Sequence, residues 1–413
     1  MINSSSFREK YMPQIKDLAV YYRRHLLEDI VPFWEERMLD SEYGGYYNCF
    51  DREGRLYNDI KCGWFVGRNM YMFSSLYNNI EKRPQWLEAA RIGRRFLTEK
   101  AMTQGGRLNQ MMNRDGSVIN GATSIFTDHF AVKGLFEYIE AAGSVDDIPL
   151  AKSMFDTLMQ NISDKVVLTN ECHDSRFRKH AVNFMTLIVS IEGKKLFKDE
   201  MKPIIDARLQ DSLYTFVDDA EKAPLEYVSA DGKPLYEDEG RIVDPGHTLE
   251  SLWFSMREGT ERADYGIIQR ACEIVDWVID RAWDKEYGGF YQNVDVFDTI
   301  PQRPFLSNRY VDIDVAWSDK IWWIQAEGLY TLALSALLTE NERYFKYFLK
   351  LHQFCKDYFS DPMYGEWYSV LNRDGSVLSD RKGFELKGFY HVPRSIMQLT
   401  LLFDKYVKTN GKS

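Results

Sequence analysis

Apolar side chains recur along most of the chain every three or four residues, the spacing of one face of an α-helix. The segment 147–163 shows this most clearly, because Leu150, Met154, Leu158 and Ile162 are each four residues apart. The pattern predicts twelve helices, at about 8–40, 62–80, 84–100, 123–142, 147–163, 178–194, 200–219, 247–258, 263–283, 316–339, 342–360 and 388–406.

Short aromatic and glycine-rich segments recur between the predicted helices. The segments 40–47, 284–291 and 361–368 share one template, which begins with Asp and continues through Tyr-Gly to a pair of aromatic residues. Two Asn-Arg-Asp-Gly-Ser segments, at 113–117 and 372–376, predict hairpin turns, because Asp-Gly between alternating segments is a strong hairpin signal. This self-similarity indicates a repeated helix–hairpin unit.

Twelve helices taken as six pairs predict an all-α fold, an (α/α)6 barrel with short β-hairpins in the connecting loops. Alternate helices would then form an inner and an outer ring. Because no Pro/Ser-rich linker or change of composition interrupts the 413 residues, we predict a single domain over residues 1–413.

Composition narrows the function. The chain is 45% apolar, enough for a large core, and its formal charge of -10 without a basic cluster argues against nucleic acid or an anionic membrane as partner. We expect no signal peptide, because the first residues lack a positively charged stretch followed by an apolar run. We also expect no membrane span, because no apolar run approaches about 18 residues. The five scattered cysteines are typical of reduced thiols, so we expect a cytoplasmic protein.

Two histidines stand at predicted helix starts. In the segment 244–250, Asp-Pro-Gly-His-Thr-Leu-Glu, Pro and Gly predict the start of a helix with His247 in its first turn and Glu250 on the same face. The positive helix end favours a neutral imidazole, which is a good proton acceptor. The segment 388–394 opens the last helix in the same way with His391. We interpret the two histidines as lying on either side of one small molecule.

The even-numbered helices carry further polar residues near their starts. If these helices form the inner ring and run the same way, their polar side chains meet in one pocket. The residues predicted for this pocket are Arg68, Asp128, His129, His180, Asn183, His247, Glu250, Lys320, Trp322, Glu327, His391 and Arg394. Arg68 offers a fork of donors to a carbonyl or alkoxide oxygen, and Glu250 would hydrogen-bond His247 and set which ring nitrogen accepts a proton.

Each of these residues also has a structural interpretation. His247 could cap its helix, Glu250 could be a first-turn carboxylate favoured by the helix dipole, and His129, His173 and His180 stay undecided. Of the adjacent Trp322 and Trp323, one would line the pocket while the other packs in the core.

Several chemistries lack their motifs. Without His-Glu-x-x-His or a cysteine pair at ligand spacing, we expect no zinc site, and without a P-loop or Gly-x-Gly-x-x-Gly, no phosphoryl transfer or dinucleotide redox. Glycoside hydrolysis is the main alternative, because many (α/α)6 barrels host it and fold alone does not decide function. Its acid/base pair would come from four carboxylates, Glu250, Glu327, Glu366 and Asp314.

Several C-terminal motifs are specific to one family. They are 245–250 with Trp253 and Phe254, 320–323 with Glu327, 361–368, 382–383, 387–388 and 391–394. The N-terminal half matches more loosely, through residues 33–34, 43–45, 59–61, 64 and 67–68. On these residues, nearly the whole chain resembles the N-acylglucosamine 2-epimerase family, also called the renin-binding protein family.

The resemblance implies an (α/α)6 barrel that interconverts sugars at C2, typically N-acetylglucosamine and N-acetylmannosamine. It implies that His247 and His391 are the acid/base pair, supported by Arg68 and Glu250. One histidine would remove the C2 proton of the open-chain aldehyde and the other would return a proton to the opposite face. Arg68 would stabilise the charge that develops on O1. This chemistry requires no metal or redox cofactor.

Cellobiose 2-epimerases and mannose or other aldose–ketose isomerases of the same family are alternatives. Those branches tend to carry a carboxylate after a histidine on the sixth helix, and its absence from 180–183 favours the N-acyl branch. Gln325 stands where some N-acylglucosamine epimerases have a histidine. The resemblance also implies a sugar as the small-molecule partner, a homodimer, and ATP or another nucleotide as an allosteric activator in some members.

Overall fold

The computed structural model describes residues 4–164, 176–297, 308–310 and 313–411, so His173 lies outside the described residues. Its α-helices are α1 (Ser4–Arg24), α2 (Val31–Glu35), α3 (Gly63–Asn79), α4 (Pro84–Phe96), α5 (Ile125–Ala142), α6 (Ile148–Ser163), α7 (His180–Phe197), α8 (Lys202–Gln210), α9 (Pro245–Glu261), α10 (Tyr265–Ala282), α11 (Trp322–Thr339), α12 (Glu342–Phe354) and α13 (His391–Asn410). Among these described helices, none combines the length and apolar character that crossing a membrane requires.

All twelve predicted helices are present, and three of them, at α4, α8 and α12, end in π-helical turns. Two further differences concern the first and the tenth helix. The first is divided into α1 and α2 by a π-helical turn, His25–Ile30. The tenth begins at Trp322 rather than 316, because Lys320–Ile321 pairs as a β-strand with Val370–Leu371. That pairing partner lies about 50 residues further along the chain, beyond the reach of a periodicity argument.

Short strands occupy the connections between helices, as predicted. Within the described residues they are β1 (Cys49–Phe50), β2 (Leu56–Asn58), β3 (Lys61–Cys62), β4 (Met111–Met112), β5 (Val118–Asn120), β6 (Phe177–Lys179), β7 (Val217–Asp218), β8 (Ala223–Pro224), β9 (Tyr227–Ser229), β10 (Ile242–Val243), β11 (Val294–Asp295), β12 (Asn308–Tyr310), β13 (Ile313–Val315), β14 (Lys320–Ile321), β15 (Val370–Leu371) and β16 (Val377–Ser379). None exceeds three residues.

The chain forms two compact units. The first comprises Met1–Phe33, Leu209–Arg381 and His391–Ser413, and the second comprises Trp34–Arg208 and Lys382–Tyr390. That the whole chain is one domain stays a prediction.

Within each unit, strongly buried helices alternate with half-buried ones. In the second unit α3 packs against α4 and α5, and α5 packs against α6 and α7. In the first unit α9 packs against α10 and α11, and α11 packs against α12 and α13. Helices α3, α5, α7, α9, α11 and α13 are buried on nearly all sides, whereas α4, α6, α10 and α12 bury one stripe. The even-numbered helices of the prediction are therefore the inner ones.

The repeated connector segments fold into the same turn. The N–H of Gly44 donates to the carbonyl oxygen of Asp40 at 3.0 Å, and that of Gly288 to the carbonyl oxygen of Asp284 at 2.9 Å. Gly289 follows with φ of +71°, a conformation that favours glycine. Each copy leads to a three-stranded sheet of matching register, β3–β4–β5 in the second unit and β14–β15–β16 in the first. The predicted repeat is confirmed.

In the first unit a buried aspartate holds this repeat together. The carboxylate of Asp284 accepts hydrogen bonds from Nζ of Lys320 at 3.0 Å and from Nε of Arg373 at 2.9 Å. Burial alone would raise the pKa of Asp284, but the hydrogen bonds from Arg373 and Lys320 outweigh it and lower the pKa to about 2. Burial lowers the pKa of Lys320 to about 8, although Asp284 opposes the shift.

The second unit contains the same cluster. The carboxylate of Asp40 accepts from Nζ of Lys61 at 2.8 Å and from Nε of Arg114 at 3.1 Å. Despite burial, the hydrogen bonds from Arg114 and Lys61 hold the pKa of Asp40 well below its usual range. A buried carboxylate with two cations therefore joins the glycine turn, the strand before an inner helix and the Asp-Gly hairpin in both units.

Candidate active site

The predicted site residues are divided between the two units. The first unit contains His247, Glu250, Lys320, Trp322, Glu327, His391 and Arg394, and the second contains Arg68, Asp128, His129, His180 and Asn183.

His247 lies in the first turn of α9, as predicted. Helix α9 begins at Pro245, whose missing N–H costs nothing there, after the N-cap residue Asp244. Oδ1 of Asp244 accepts the backbone N–H of His247 at 2.9 Å. The His247 side chain is 25% exposed, so a small molecule can reach it.

Two carboxylates contact Nδ1 of His247. Oε2 of Glu226 lies 3.1 Å away in a hydrogen bond, and Oδ2 of Asp244 lies 3.2 Å away. This corrects the prediction that Glu250 would hold His247. The shared helix face does not bring Glu250 to Nδ1, because Glu250 pairs with Arg394 and Nδ1 is turned toward Glu226 and Asp244.

Glu226 is a residue that the sequence analysis missed. It lies between β8 and β9, where a single carboxylate interrupts the apolar run 223–228. Its side chain is only 4% exposed, which is rare for a glutamate unless a partner holds it. A lone carboxylate in an apolar connector was the signal available in the sequence.

His391 begins α13 and also has a carboxylate on Nδ1. Oε1 of Glu327, on α11, lies 2.7 Å from that nitrogen. The His391 side chain is 10% exposed and that of Glu327 only 1%. Glu327, predicted to bind substrate, therefore lies behind the histidine and holds it.

Arg394 neutralises part of the charge around His391. Its Nη2 donates to Oε1 of Glu250 at 2.5 Å and to Oε1 of Glu327 at 2.6 Å. The indole Nε1–H of Trp253 donates to the other oxygen of Glu327 at 2.8 Å. Because buried charges are stable only when paired and hydrogen-bonded, this network makes Arg394 and Glu250 supports of His391. Arg394 had been predicted to bind substrate directly.

The indole of Trp323 lies against both imidazoles. Its ring centroid is 5.2 Å from that of His247 and 5.5 Å from that of His391. The two imidazole centroids are thus no further apart than the sum of these distances. A Cβ atom on Gly246 would lie 2.3 Å from Cζ3 of Trp323, so only glycine permits this close approach of α9 to the indole.

The hydrogen bonds decide which nitrogen each histidine offers. An ionised carboxylate only accepts hydrogen bonds, so Nδ1 of His247 and of His391 each carry a hydrogen toward Glu226 and Glu327. The lone pair of a neutral ring is then on Nε2. The first unit therefore contains two nearby histidines in the same tautomer.

Arg68 of the second unit is a buried cation among aromatic rings. Its guanidinium carbon lies 4.0 Å from the ring centroid of Phe130, 4.8 Å from that of Tyr390 and 5.1 Å from that of Trp64. Nζ of Lys133 donates to the hydroxyl of Tyr390 at 2.8 Å. Lys133 and Tyr390 were not singled out from the sequence.

Asp128 and His129 have structural partners in the second unit. Asp128 accepts from Nε of Arg107 and from the backbone N–H of Leu108, which fixes that loop. The contact of Asp128 with a sugar stays a prediction. Burial lowers the pKa of His129 to about 4, and its ring nitrogens contact the carbonyl oxygen of Ile125 and the hydroxyl of Thr186. His129 is therefore neutral at pH 7.

His180 and Asn183 lie at the start of α7. The ring of His180 makes an edge contact with Phe184 at 5.4 Å, and both predicted residues are buried. Nδ2 of Asn183 donates to the carbonyl oxygen of Arg208 at 3.1 Å. Their contact with a sugar stays a prediction.

Four residues at the start of α11 or in the strand before it have defined surroundings. Lys320 is fully buried against Asp284, which corrects its prediction as a substrate ligand. Gln325 exchanges two hydrogen bonds of 2.8 Å with the backbone of Phe290 and so fixes the glycine turn. Trp322 is 2% exposed, and its contact with a sugar stays a prediction, whereas Trp323 contacts both histidines.

The carboxylates considered for glycoside hydrolysis have different surroundings. Glu250 and Glu327 share Arg394, and Glu366 is buried with Oε1 accepting the N–H of Trp367 at 2.9 Å. Asp314 is exposed on β13. None of these contacts forms a matched acid/base pair.

Two clusters in the first unit also have the donor types of a cation site. They are Glu226, Asp244 and His247, and Glu250, Glu327 and His391, each with ligand atoms within 4.8 Å of one another. Each cluster contains one of the histidine–carboxylate hydrogen bonds described above, from His247 to Glu226 and from His391 to Glu327.

The comparisons with known proteins identify the family of the chain. The sequence model of the family described as N-acylglucosamine 2-epimerase (GlcNAc 2-epimerase) matches residues 45–395. The N-acylglucosamine 2-epimerase of Bos taurus is 28% identical over 382 residues, covering 90% of this chain and 87% of its own. The cellobiose 2-epimerase of Bacteroides fragilis is 24% identical over 407 residues, covering 91% and 97%.

A solved structure identifies the fold. Cellobiose 2-epimerase from Spirochaeta thermophila DSM 6192 is similar with a TM-score of 0.78 at 18% identity, over 96% of this chain and 99% of that one. At that identity the likeness shows the fold, which is the predicted (α/α)6 barrel. The chain therefore belongs to the N-acylglucosamine 2-epimerase family and is an enzyme of the carbohydrate epimerase and isomerase type.

Proposed function

We propose that this enzyme is a sugar 2-epimerase that interconverts N-acetylglucosamine and N-acetylmannosamine. Family membership supports the reaction type. The observation that carries the proposal is the pair of histidines that both contact Trp323, each with Nδ1 held by a buried carboxylate. Two histidines that each present Nε2 can act as acid and base. This fits a reaction that removes a proton from one face of C2 and returns a proton to the opposite face.

The reaction begins from the open-chain aldehyde, in which the C2 hydrogen is α to a carbonyl group. Nε2 of one histidine takes the C2 proton, and the electron pair of the broken C–H bond passes into an enolate with its charge on O1 and the acetamido group still on C2. Nε2 of the other histidine, in its protonated form, then gives a proton to the opposite face of C2. Each turnover leaves one histidine protonated and the other neutral, so the two exchange roles for the reverse reaction.

Other residues support this exchange. The resemblance assigns Arg68 to the developing negative charge on O1, and a guanidinium buried among aromatic rings is a strong donor for it. Glu250 acts through Arg394, which it pairs with. We keep His180, Asn183 and Trp322 as candidate sugar contacts, with Trp323 added to them.

We propose the N-acetyl sugars, rather than cellobiose or mannose, as substrates for two reasons. The N-acylglucosamine 2-epimerases match at 27–28% identity, above the 24% of a cellobiose 2-epimerase. In addition, the segment 180–183 lacks the carboxylate expected in the other branches. Cellobiose 2-epimerase or mannose isomerase activity is the alternative.

The test is a proton NMR time course of N-acetylglucosamine with the enzyme in D2O at neutral pH. We expect N-acetylmannosamine with deuterium at C2. Exchange only with cellobiose, glucose or mannose would move the enzyme to a sister branch, and exchange with none of these sugars, with and without ATP, would contradict the proposal.

Variants then test the two histidines. We expect His247→Gln and His391→Gln each to lower the epimerisation rate by roughly 100-fold or more, since acid/base catalysis contributes on that scale. His352→Gln is the matched control, because it removes an imidazole from α12 where the ring contacts Tyr22. Full activity in both active-site variants would contradict the two-histidine mechanism.

We further propose a cytoplasmic homodimer that requires no cofactor and that a nucleotide can activate. Light scattering during size-exclusion chromatography tests the dimer, and cell fractionation tests the compartment. The NMR assay with and without ATP tests activation, with a rate unchanged by ATP as the contrary result.

A further inference from the structure

We propose that Glu226 is the positioning residue that holds His247 in its reactive tautomer, an inference that rests on the proposed epimerase function. Glu226 belongs to neither α9 nor the motifs of the family resemblance. It reaches the imidazole from the connector between β8 and β9.

The backbone around Glu226 is fixed to the segment that introduces His247. The N–H of Glu226 donates to the carbonyl oxygen of Ile242 at 3.0 Å, and that of Leu225 to the carbonyl oxygen of Phe216 at 2.9 Å. Ile242 begins β10, which ends one residue before the N-cap Asp244. The carboxylate and the imidazole are thus carried by segments that are hydrogen-bonded to each other.

The side-chain contact selects one tautomer. Oε2 of Glu226 is 3.1 Å from Nδ1 of His247, and the Glu226 side chain is almost wholly buried. Water therefore competes poorly for this hydrogen bond. With the hydrogen kept on Nδ1, the lone pair that takes the C2 proton is on Nε2.

The charge of Glu226 has a second effect. When Nε2 accepts the C2 proton, His247 becomes an imidazolium beside two carboxylates, Glu226 and Asp244. Opposite charges within about 4 Å stabilise the charged form of a group. Glu226 therefore favours the state that His247 enters during catalysis, as well as its orientation before catalysis.

Asp244 is less suited to a test of this role. Its Oδ1 caps α9 through the N–H of His247, so a change there also disturbs the start of the helix. Glu226 lies outside the helix and allows the two effects on the ring to be separated by two substitutions. Glu226→Gln keeps an oxygen that can accept the Nδ1 hydrogen, and Glu226→Ala removes both the acceptor and the charge.

The experiment measures kcat and KM for C2 deuterium exchange in both variants, together with the 15N spectrum of the histidine rings. Signals of His247 are assigned by their loss in His247→Gln. We expect kcat to fall by roughly 10-fold in Glu226→Gln and roughly 100-fold in Glu226→Ala, with KM little changed. The wild-type spectrum should show a protonated Nδ1 and an unprotonated Nε2 in the neutral ring.

Glu258→Gln is the matched control. Glu258 is a buried glutamate on α9, the helix of His247, and it pairs with Arg262 near the C-terminal end of that helix. An unchanged kcat in both Glu226 variants would overturn the proposal, as would a wild-type spectrum with the hydrogen on Nε2. If Glu226→Ala does not fold, the wild-type spectrum and Glu226→Gln still decide. If the wild-type enzyme exchanges the C2 hydrogen of no sugar, the proposed function fails. The 15N spectrum then still tests the tautomer of His247 by itself.

Discussion

At the scale of single residues, Gly246 packs against Trp323, the indole that contacts both imidazoles. The indole contacts His247 and His391, and the first turn of α9 can pack against it only because position 246 has no side chain. The glycine that marks the helix start in the sequence therefore has a second role in the site.

We predict that Gly246→Ala lowers the rate of epimerisation by at least about 10-fold, because the added methyl group must displace Trp323 and with it the spacing of the histidines. Overpacking of this kind also destabilises a protein by about 1–3 kcal/mol. C2 exchange and urea unfolding measure the two effects. The matched control is Gly121→Ala, where a Cβ would meet nothing within 4 Å. Equal behaviour of the two variants would contradict the prediction.

The residues of the site were predictable to different degrees. His247 and His391 could be found because each stands next to residues that mark a helix start, a local signal. Glu226 could not, because it contacts His247 from an irregular connector 21 residues away, where no periodicity relates the two. Lys320 was assigned to the pocket by its place near an inner helix, yet its side chain is directed to Asp284.

At the scale of elements, the sequence predicted the helices well because their burial follows a regular period. Helix α11 was predicted from 316, and its true start at Trp322 depends on a strand partner distant in sequence. The hairpins were predictable because Asp-Gly is a local turn signal. The ion clusters that hold each turn to its hairpin were not, since they join residues up to 89 positions apart.

We predict that the cluster around Asp284 makes stability depend on acidity. The pKa of this carboxyl is lowered from 3.8 to about 2, so its contribution is complete above about pH 4 and is lost as the pH falls toward 2. Asp284→Asn should lower the free energy of unfolding at neutral pH and weaken its fall over this range. Urea unfolding at a series of pH values measures both effects.

Asp40 provides the matched comparison. Its partners in the second unit, Lys61 and Arg114, are equivalent to Lys320 and Arg373, and its pKa is also lowered. Asp40→Asn should behave like Asp284→Asn. An Asp284 variant as sensitive to acid as the wild type would contradict the prediction.

At the scale of the whole molecule, the fold was predictable because one helix–hairpin unit repeats along the chain. The family followed from motifs at the starts of inner helices, where chemistry limits the residues that can be used. The two compact units were not foreseen, because each draws on segments far apart in sequence and no linker marks the change.

We predict that removal of metal ions leaves C2 exchange unchanged, because proton transfer between histidines and sugar requires none. Dialysis against EDTA followed by the NMR assay measures this, with dialysis alone as the control. Loss of activity that a divalent cation restores would contradict the prediction. It would direct attention to Glu226, Asp244 and His247, which have the donor types of a cation site.

The doubled cluster of Asp, Lys and Arg also has an evolutionary consequence. Loss of Asp284 would leave the buried Lys320 without its carboxylate, which costs several kcal/mol, whereas a concerted replacement of all three residues by apolar ones can be neutral. Drift at Asp284, Lys320 and Arg373 should therefore be correlated among descendants of the chain, and so should drift at the equivalent positions of the other unit.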